Sequence, residues 1–214
     1  MAGLKICGLR DNIEEVADLG PDYAGFIFYE KSPRYVGIDF KMPVLDKTIK
    51  KVGVFVNAST GEVKRRIDNY QLDLVQLHGT ESPEYCRELK GAGAGIIKAF
   101  PMDERFDFRL LEDYERAADY FLFDTKTEAF GGSGKTFDWE ILKKYTLEKS
   151  YFLSGGIGLD NVGEIAQIDL SKVHALDVNS RFELRPGLKD TQAIQLLKQK
   201  IGILNSGYQN TIIK

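Results

Sequence analysis

Eight short apolar runs, each followed by a segment with helical spacing or a helix-start signal, constrain this chain more than its bulk composition does. The runs occupy residues 4–8, 23–29, 51–56, 72–78, 95–100, 120–123, 151–154 and 172–178. Runs of this length, bounded by glycine and polar residues, read as buried strands. Helical signals fall over residues 12–19, 60–70, 160–166 and 190–201, within 103–118, and more weakly over 39–47. Ser82 before Pro83 and Asp138 before Trp139 mark two further helix starts. In each, a side-chain oxygen precedes the first turn, and proline suits the first helical position. Strand–helix alternation predicts parallel strands joined by right-handed crossovers. Eight such units within 214 residues sit at the compact end for a closed (β/α)8 TIM barrel. An open doubly wound sheet shares the same periodicity. No shift in composition divides the chain, so residues 1–214 read as one α/β barrel domain, with 202–214 as a C-terminal extension.

Bulk properties remove several function classes. A formal net charge of -3 gives no general attraction to nucleic acid or to an anionic membrane. No uncharged apolar run approaches a membrane span. The opening MAGLKICGLRD lacks the long apolar centre of a secretory signal, so the expected compartment is the cytoplasm. Two cysteines make neither a disulfide framework nor a zinc cluster, and two histidines cannot supply a multi-histidine metal site. No metal is expected, although carboxylates could still bind one.

In barrels of this kind, the loops after the strands form one active face. Cys7, Arg34, Gln76, His78, Asp124, Gly155, Gly156, Asp177, Asn179 and Ser180 therefore fall on a common rim. Asp124 ends a buried run and precedes the glycine-rich stretch Gly131, Gly132 and Gly134, a pattern suited to chemistry shielded from water. Its plain alternative is a carboxylate capping a backbone amide. Cys7 is either a small buried hydrophobe or, beside Lys5, a thiol pushed toward the thiolate. Arg34 lies in a proline-stiffened Ser-Pro-Arg-Tyr turn, where a guanidinium can grip a planar carboxylate with two hydrogen bonds. Gly155-Gly156 after the seventh run, and Asp177-Val178-Asn179-Ser180 after the eighth, fall where this architecture commonly binds phosphate. One motif points elsewhere. AFGGSGKT, from Ala129 to Thr136, nearly matches a nucleotide-binding loop, but Ala129 replaces its first glycine. Four residues also separate it from the preceding strand, and Phe137-Asp138 delay the helix.

Taken in order, the motifs resemble the phosphoribosylanthranilate isomerase family of tryptophan biosynthesis. The matching pieces are Lys5-Ile6-Cys7-Gly8, Gly25-Phe26-Ile27-Phe28, Ser32-Pro33-Arg34-Tyr35, Val52-Gly53-Val54-Phe55 and Val75-Gln76-Leu77-His78-Gly79. They continue with Phe123-Asp124-Thr125, Gly131-Gly132-Ser133-Gly134 running into Phe137-Asp138-Trp139, Ser154-Gly155-Gly156-Ile157 and Pro186-Gly187-Lys189-Asp190. The resemblance implies an eight-fold barrel without a cofactor that takes a small-molecule substrate and neither nucleic acid nor membrane, as a monomer or homodimer. It implies an Amadori rearrangement of N-(5'-phosphoribosyl)anthranilate to 1-(2-carboxyphenylamino)-1-deoxyribulose 5-phosphate. By that resemblance Asp124 matches the general acid and Cys7 the general base. Arg34 matches the group holding the anthranilate carboxylate, and Gln76, His78 and Asp177 line the substrate. Gly155, Gly156, Asn179 and Ser180 fall at the 5'-phosphate. The chain departs at Ser180-Arg181, where the family usually reads Ser-Gly. Arg181 there supplies a cation or points to solvent. Rival expectations are a related barrel acting on another sugar phosphate, and a non-catalytic phosphate-binding module.

Overall fold

The computed structural model describes residues 2–126 and 136–212. The glycine-rich stretch at 131–134, and all of the AFGGSGKT motif except Thr136, lie outside the described residues. Eight strands follow the expected order: β1 (Gly3–Ile6), β2 (Tyr23–Ile27), β3 (Lys50–Phe55), β4 (Leu74–Leu77), β5 (Gly95–Met102), β6 (Tyr120–Thr125), β7 (Tyr151–Leu153) and β8 (Val173–Val178). They form a closed barrel in sequence order. The closing pair is decisive against an open sheet: β1 and β8 run parallel, with Lys5 opposite Asp177 and Ile6 opposite Val178.

Alternation along each strand sorts side chains into two cores. Val52, Leu74, Ile97, Ala99, Leu122, Phe152 and Ala175 come from six different strands and pack together inside the barrel. Most of the remaining apolar positions face outward and join the surrounding helices in a larger core, while Cys7, Ile27 and Val54 form a small cluster of their own. One irregularity shapes the barrel floor. β7 pairs Tyr151 with Val173 and Phe152 with Ala175, skipping His174. The extra residue turns His174 toward the interior, as a bulge does. Its Nε2 lies 2.6 Å from the Tyr23 hydroxyl, and its ring sits 4.3 Å from Tyr120 and 5.2 Å from Phe152.

The outer layer follows its capping signals. α1 spans Ile13–Ala17, α2 Thr60–Tyr70, α3 Pro83–Leu89 and α4 Thr191–Ile212. Ser59 accepts from the Glu62 amide, and Ser82 accepts from that of Tyr85 with Pro83 at the first turn. Asp138 accepts from Glu140, but the segment it opens, Trp139–Lys144, is a 3-10 helix. Phe108–Tyr114 and Val162–Gln167 are also 3-10 helices. Such short crossovers take the tighter helix, which is used in brief pieces. The weak signal over 39–47 gives no helix. Pro43 falls inside it and lacks the amide a helix interior needs. Phe40 instead anchors the segment against Phe26, Phe28 and Tyr70. α4 continues past residue 201 to Ile212, through most of the stretch expected as an extension. An unforeseen antiparallel hairpin follows β8: β9 (Glu183–Arg185) pairs with β10 (Leu188–Lys189). Gly187 turns it at φ 89, which only glycine adopts without strain.

Two outcomes follow from these cores. Phe152→Ala removes a fully buried ring from the barrel interior and should cost about 3–5 kcal/mol in denaturant unfolding. Burial holds the His174 imidazole below its ordinary value. Below about pH 6.5 the unfolded chain then binds more protons than the folded one, so stability falls with the pH. His174→Phe should flatten the fall in unfolding midpoint between about pH 7 and pH 5. An unchanged slope would assign the acid sensitivity to other groups.

Candidate active site

The mouth of the barrel replaces the apolar layers with polar ones. Lys5 points inward from β1 and is fully buried. A buried ammonium is stable only when its donors are met, and here its Nζ donates to Gln76 Oε1 at 2.6 Å and to Asp177 Oδ2 at 2.9 Å. Burial works against its charge, but Asp177 and Cys7 outweigh burial and hold Lys5 above its ordinary pKa. The Asp177 carboxyl is itself pushed up by burial, with Lys5 opposing. Its second oxygen, Oδ1, is buried without a hydrogen-bond partner.

The same cation fixes a chain of orientations. Because Lys5 can only donate, Gln76 must turn its carbonyl toward it. Gln76 Nε2 then faces His78 Nδ1 at 2.7 Å, which must accept. The imidazole proton is left on Nε2, which lies 3.3 Å from Asp124 Oδ2. The other Asp124 oxygen takes the Thr125 amide at 2.9 Å, as the capping alternative expects. The loop carrying His78 is pinned by Glu81, whose carboxylate takes the Asn57 amide at 2.8 Å, the Gly79 amide at 2.9 Å and Lys98 Nζ at 3.1 Å.

Cys7 continues the ladder beyond β1, its amide bonded to the Val178 carbonyl at 2.9 Å. Gly25 on β2 makes room for it: a Cβ there would lie 3.0 Å from Cys7 Cα and 3.1 Å from Sγ. Lys5 acts on the thiol as its neighbour in sequence predicts, lowering its pKa. Burial outweighs it and leaves the thiol above its ordinary value. The expectation of a ready thiolate is corrected accordingly: a desolvated sulfur resists charge.

Arg34 is buried, but its guanidinium already holds a carboxylate of the chain itself. Nε lies 3.0 and 2.9 Å from the Glu183 oxygens, and Nη2 lies 2.8 Å from Oε2. Lys189 Nζ reaches Glu183 Oε1 at 2.7 Å and Asn179 Oδ1 at 2.8 Å. Burial would raise the Glu183 pKa, yet Arg34 and Lys189 together hold it below the usual carboxylate range. Sequence reading missed Glu183, Lys189 and the structural weight of Lys5. The Pro186-Gly187 turn between them was the one available signal of a hairpin.

The loops expected to meet phosphate leave the ends of β7 and β8. Gly155 and Gly156 adopt φ 92 and 65. A Cβ on Gly155 would strike Thr125 Oγ1 at 2.3 Å, so this loop packs directly on the end of β6. Asn179 precedes the 3-10 turn Ser180–Phe182. Arg181 is exposed, but its guanidinium is held: Nη1 donates to the Gly156 carbonyl at 2.9 Å and Nη2 to Asp160 at 2.7 Å. It ties the loop after β8 to the loop after β7. A cavity of about 850 Å³ opens beside His78 and Asp124, with Phe100, Phe106 and Tyr114 in its wall. Among the described residues, no group of three His, Cys, Asp or Glu side chains could hold a metal ion.

A closed parallel barrel with a thiol, a carboxyl and a histidine at the ends of its strands has the form of a barrel enzyme. Comparison with known proteins narrows that class. The model of the family described as N-(5'phosphoribosyl)anthranilate (PRA) isomerase matches residues 4–200, and the chain belongs to this family. An N-(5'-phosphoribosyl)anthranilate isomerase of Parabacteroides distasonis is 44% identical over 207 residues, covering 92% of this chain and 92% of the relative. The crystal structure of phosphoribosyl anthranilate isomerase from Thermus thermophilus superposes with TM-score 0.80 at 28% identity, covering 95% of this chain and 100% of that one. A phosphoribosyl anthranilate isomerase solved with reduced 1-(o-carboxyphenylamino)-1-deoxyribulose 5-phosphate superposes with TM-score 0.71 at 30% identity, covering 92% and 96%.

The Arg181 tie is exposed, so its ion pair with Asp160 contributes little and the bond to the Gly156 carbonyl is its stronger half. Arg181→Ala should therefore raise KM roughly three- to tenfold while kcat stays within about twofold. Steady-state kinetics would check this, and an unchanged KM would show that the loop keeps its shape without the guanidinium.

Proposed function

We propose that Cys7 and Asp124 divide the base and acid work of the aldose–ketose isomerisation that this family member performs on N-(5'-phosphoribosyl)anthranilate, a step of L-tryptophan synthesis. One observation carries the assignment: hydrogen bonds run from Asp177 through Lys5 and Gln76 to His78, whose Nε2 lies 3.3 Å from Asp124 Oδ2, with Cys7 beside Lys5. This supports reading Cys7 and Asp124 as base and acid joined by one polar network.

In this reading, Asp124 protonates the furanose ring oxygen and the sugar opens to a Schiff base. Cys7 removes the C2' proton, giving an enolamine that tautomerises to the ketone. His78 Nε2 steadies Asp124, and Asp177 presents its unpartnered Oδ1 to a sugar hydroxyl. Gln76 holds the tautomer of His78. Arg34 takes the anthranilate carboxylate. Gly155, Gly156, Asn179 and Ser180 receive the 5'-phosphate through backbone amides, and Arg181 holds the two phosphate loops together. A cytoplasmic location and a monomeric or homodimeric chain belong to the same proposal and rest on family membership.

Cys7→Ala and Asp124→Asn should each lower turnover of the purified protein by about 10²–10⁴-fold, followed as loss of substrate fluorescence. Thermal midpoints should move little. A wild-type rate in either variant would refute the pair. Because burial holds the free thiol above its ordinary value, the thiolate fraction grows with pH, and kcat/KM should still be rising in the alkaline range. A profile flat from neutral pH upward would remove Cys7 from the base role.

A further inference from the structure

A guanidinium has two edges that can grip a carboxylate. The side-on edge pairs Nε–H with one hydrogen of Nη2. The end-on edge pairs Nη1 with the other hydrogen of Nη2. In Arg34 the side-on edge is fully used by Glu183. Among the described residues, no acceptor meets the end-on edge.

We propose that Glu183 is a positioning residue for the reaction: by gripping the side-on edge of Arg34 it aims the end-on edge at the aryl carboxylate of the substrate. This rests on the reading of Arg34 given above. Several observations support it. The Glu183 and Arg34 side chains are both buried, so neither is free to swing in and out of the pair. Lys189, fully buried, holds Glu183 from the other side and reaches on to Asn179. Arg34 and Asn179 both lie over Gly8, where a Cβ would come within 2.7 Å of Arg34 Cδ and 2.7 Å of Asn179 Oδ1. The Arg34 side chain therefore passes over Gly8, the residue that follows Cys7. The cluster also has the right charge. Arg34 and Lys189 against Glu183 leave one net positive charge, which an arriving carboxylate would neutralise. Had Glu183 been the intended final occupant of Arg34, Lys189 would be surplus.

The hairpin that supplies Glu183 and Lys189 has its physical reason here. Neither residue lies at the end of a barrel strand. The chain turns back after β8 and places two charged side chains beneath the loop that carries Arg34.

The test compares two inhibitors on the full-length protein: the reduced product analogue 1-(o-carboxyphenylamino)-1-deoxyribulose 5-phosphate, and the same molecule with hydrogen in place of the aryl carboxylate. Glu183→Gln keeps the shape but offers the guanidinium one acceptor and one amide donor. It should weaken the carboxylate-bearing inhibitor by about tenfold or more, and leave the other within about twofold. In kinetics KM should rise while kcat is largely kept. Glu183→Asp retains the charge with a shorter reach, and should show the same selective loss if the Gln variant does not fold. Equal weakening of both inhibitors, no weakening, or tighter binding of the carboxylate form would each overturn the proposal. Arg34→Ala separates the two levels. If it weakens both inhibitors alike, the carboxylate-anchor reading falls and Glu183 with it. If it discriminates between them and Glu183→Gln does not, only the role of Glu183 falls.

Discussion

A single ammonium, Lys5 Nζ, holds the mouth of this barrel together. It bridges Gln76 on β4 and Asp177 on β8 and has no access to water. Removing a cation from water costs several kcal/mol even after relaxation, and only good partners offset it. Lys5 has a carboxylate and an amide carbonyl within 2.9 Å. Each partner is then constrained in turn. Gln76 cannot flip, so His78 cannot change tautomer, so Asp124 keeps one fixed neighbour. Substituting Lys5 would free every one of these choices at once, which is why its importance exceeds that of any single bond it makes.

The barrel explains how one residue can reach so far. β1 and β4 are not adjacent in the ring, but a closed eight-stranded barrel is just wide enough for side chains to fill. Inward positions at one level therefore meet across the axis. Val52, Leu74, Ile97, Leu122 and Phe152 meet in that way in the apolar layer, and Lys5, Gln76 and Asp177 meet above them. The same alternation that packs the core delivers the polar layer. Moving the register of β1 by one residue would put Lys5 and Cys7 into the outer core and abolish the site. Closure through Lys5 opposite Asp177 is thus a structural and a chemical requirement together.

Much of this was legible because strand ends can be read from glycine and polar punctuation. Cys7, Gln76, His78, Asp124 and Asp177 all lie at or just past the end of an apolar run, and a barrel brings such ends together whatever their separation in sequence. Caps at Ser82 and Asp138 were legible for a similarly local reason. What was not legible depends on contacts between distant residues. Nothing local about Glu183 or Lys189 distinguishes them from solvated hairpin charges; only the tertiary position of Arg34 buries them. The 3-10 character of three crossovers is also a packing outcome, and the weak periodicity over 39–47 was overruled by Pro43 and by the aromatic nest that takes Phe40. Arg181 could be seen as a departure, but its direction toward Asp160 and Gly156 could not.

Two ion pairs at the mouth share a feature that separates them from ordinary structural salt bridges. A buried pair built for stability alone should use every lone pair and every donor, because each one left over costs about 1–3 kcal/mol. Asp177 gives one oxygen to Lys5 and leaves the other buried and unpartnered. Arg34 gives its side-on edge to Glu183 and has no acceptor on the other among the described residues. In each case the partner sets the orientation, and the unused face is the one a ligand can complete. On the proposed reading, the cost of the buried Asp177 oxygen is carried by the free protein and recovered when a sugar hydroxyl arrives, and an aryl carboxylate completes the open edge of Arg34. Half-used ion pairs of this kind preorganise a site without filling it, and they make the free protein less stable than the same fold would be with those groups replaced by well-packed apolar ones.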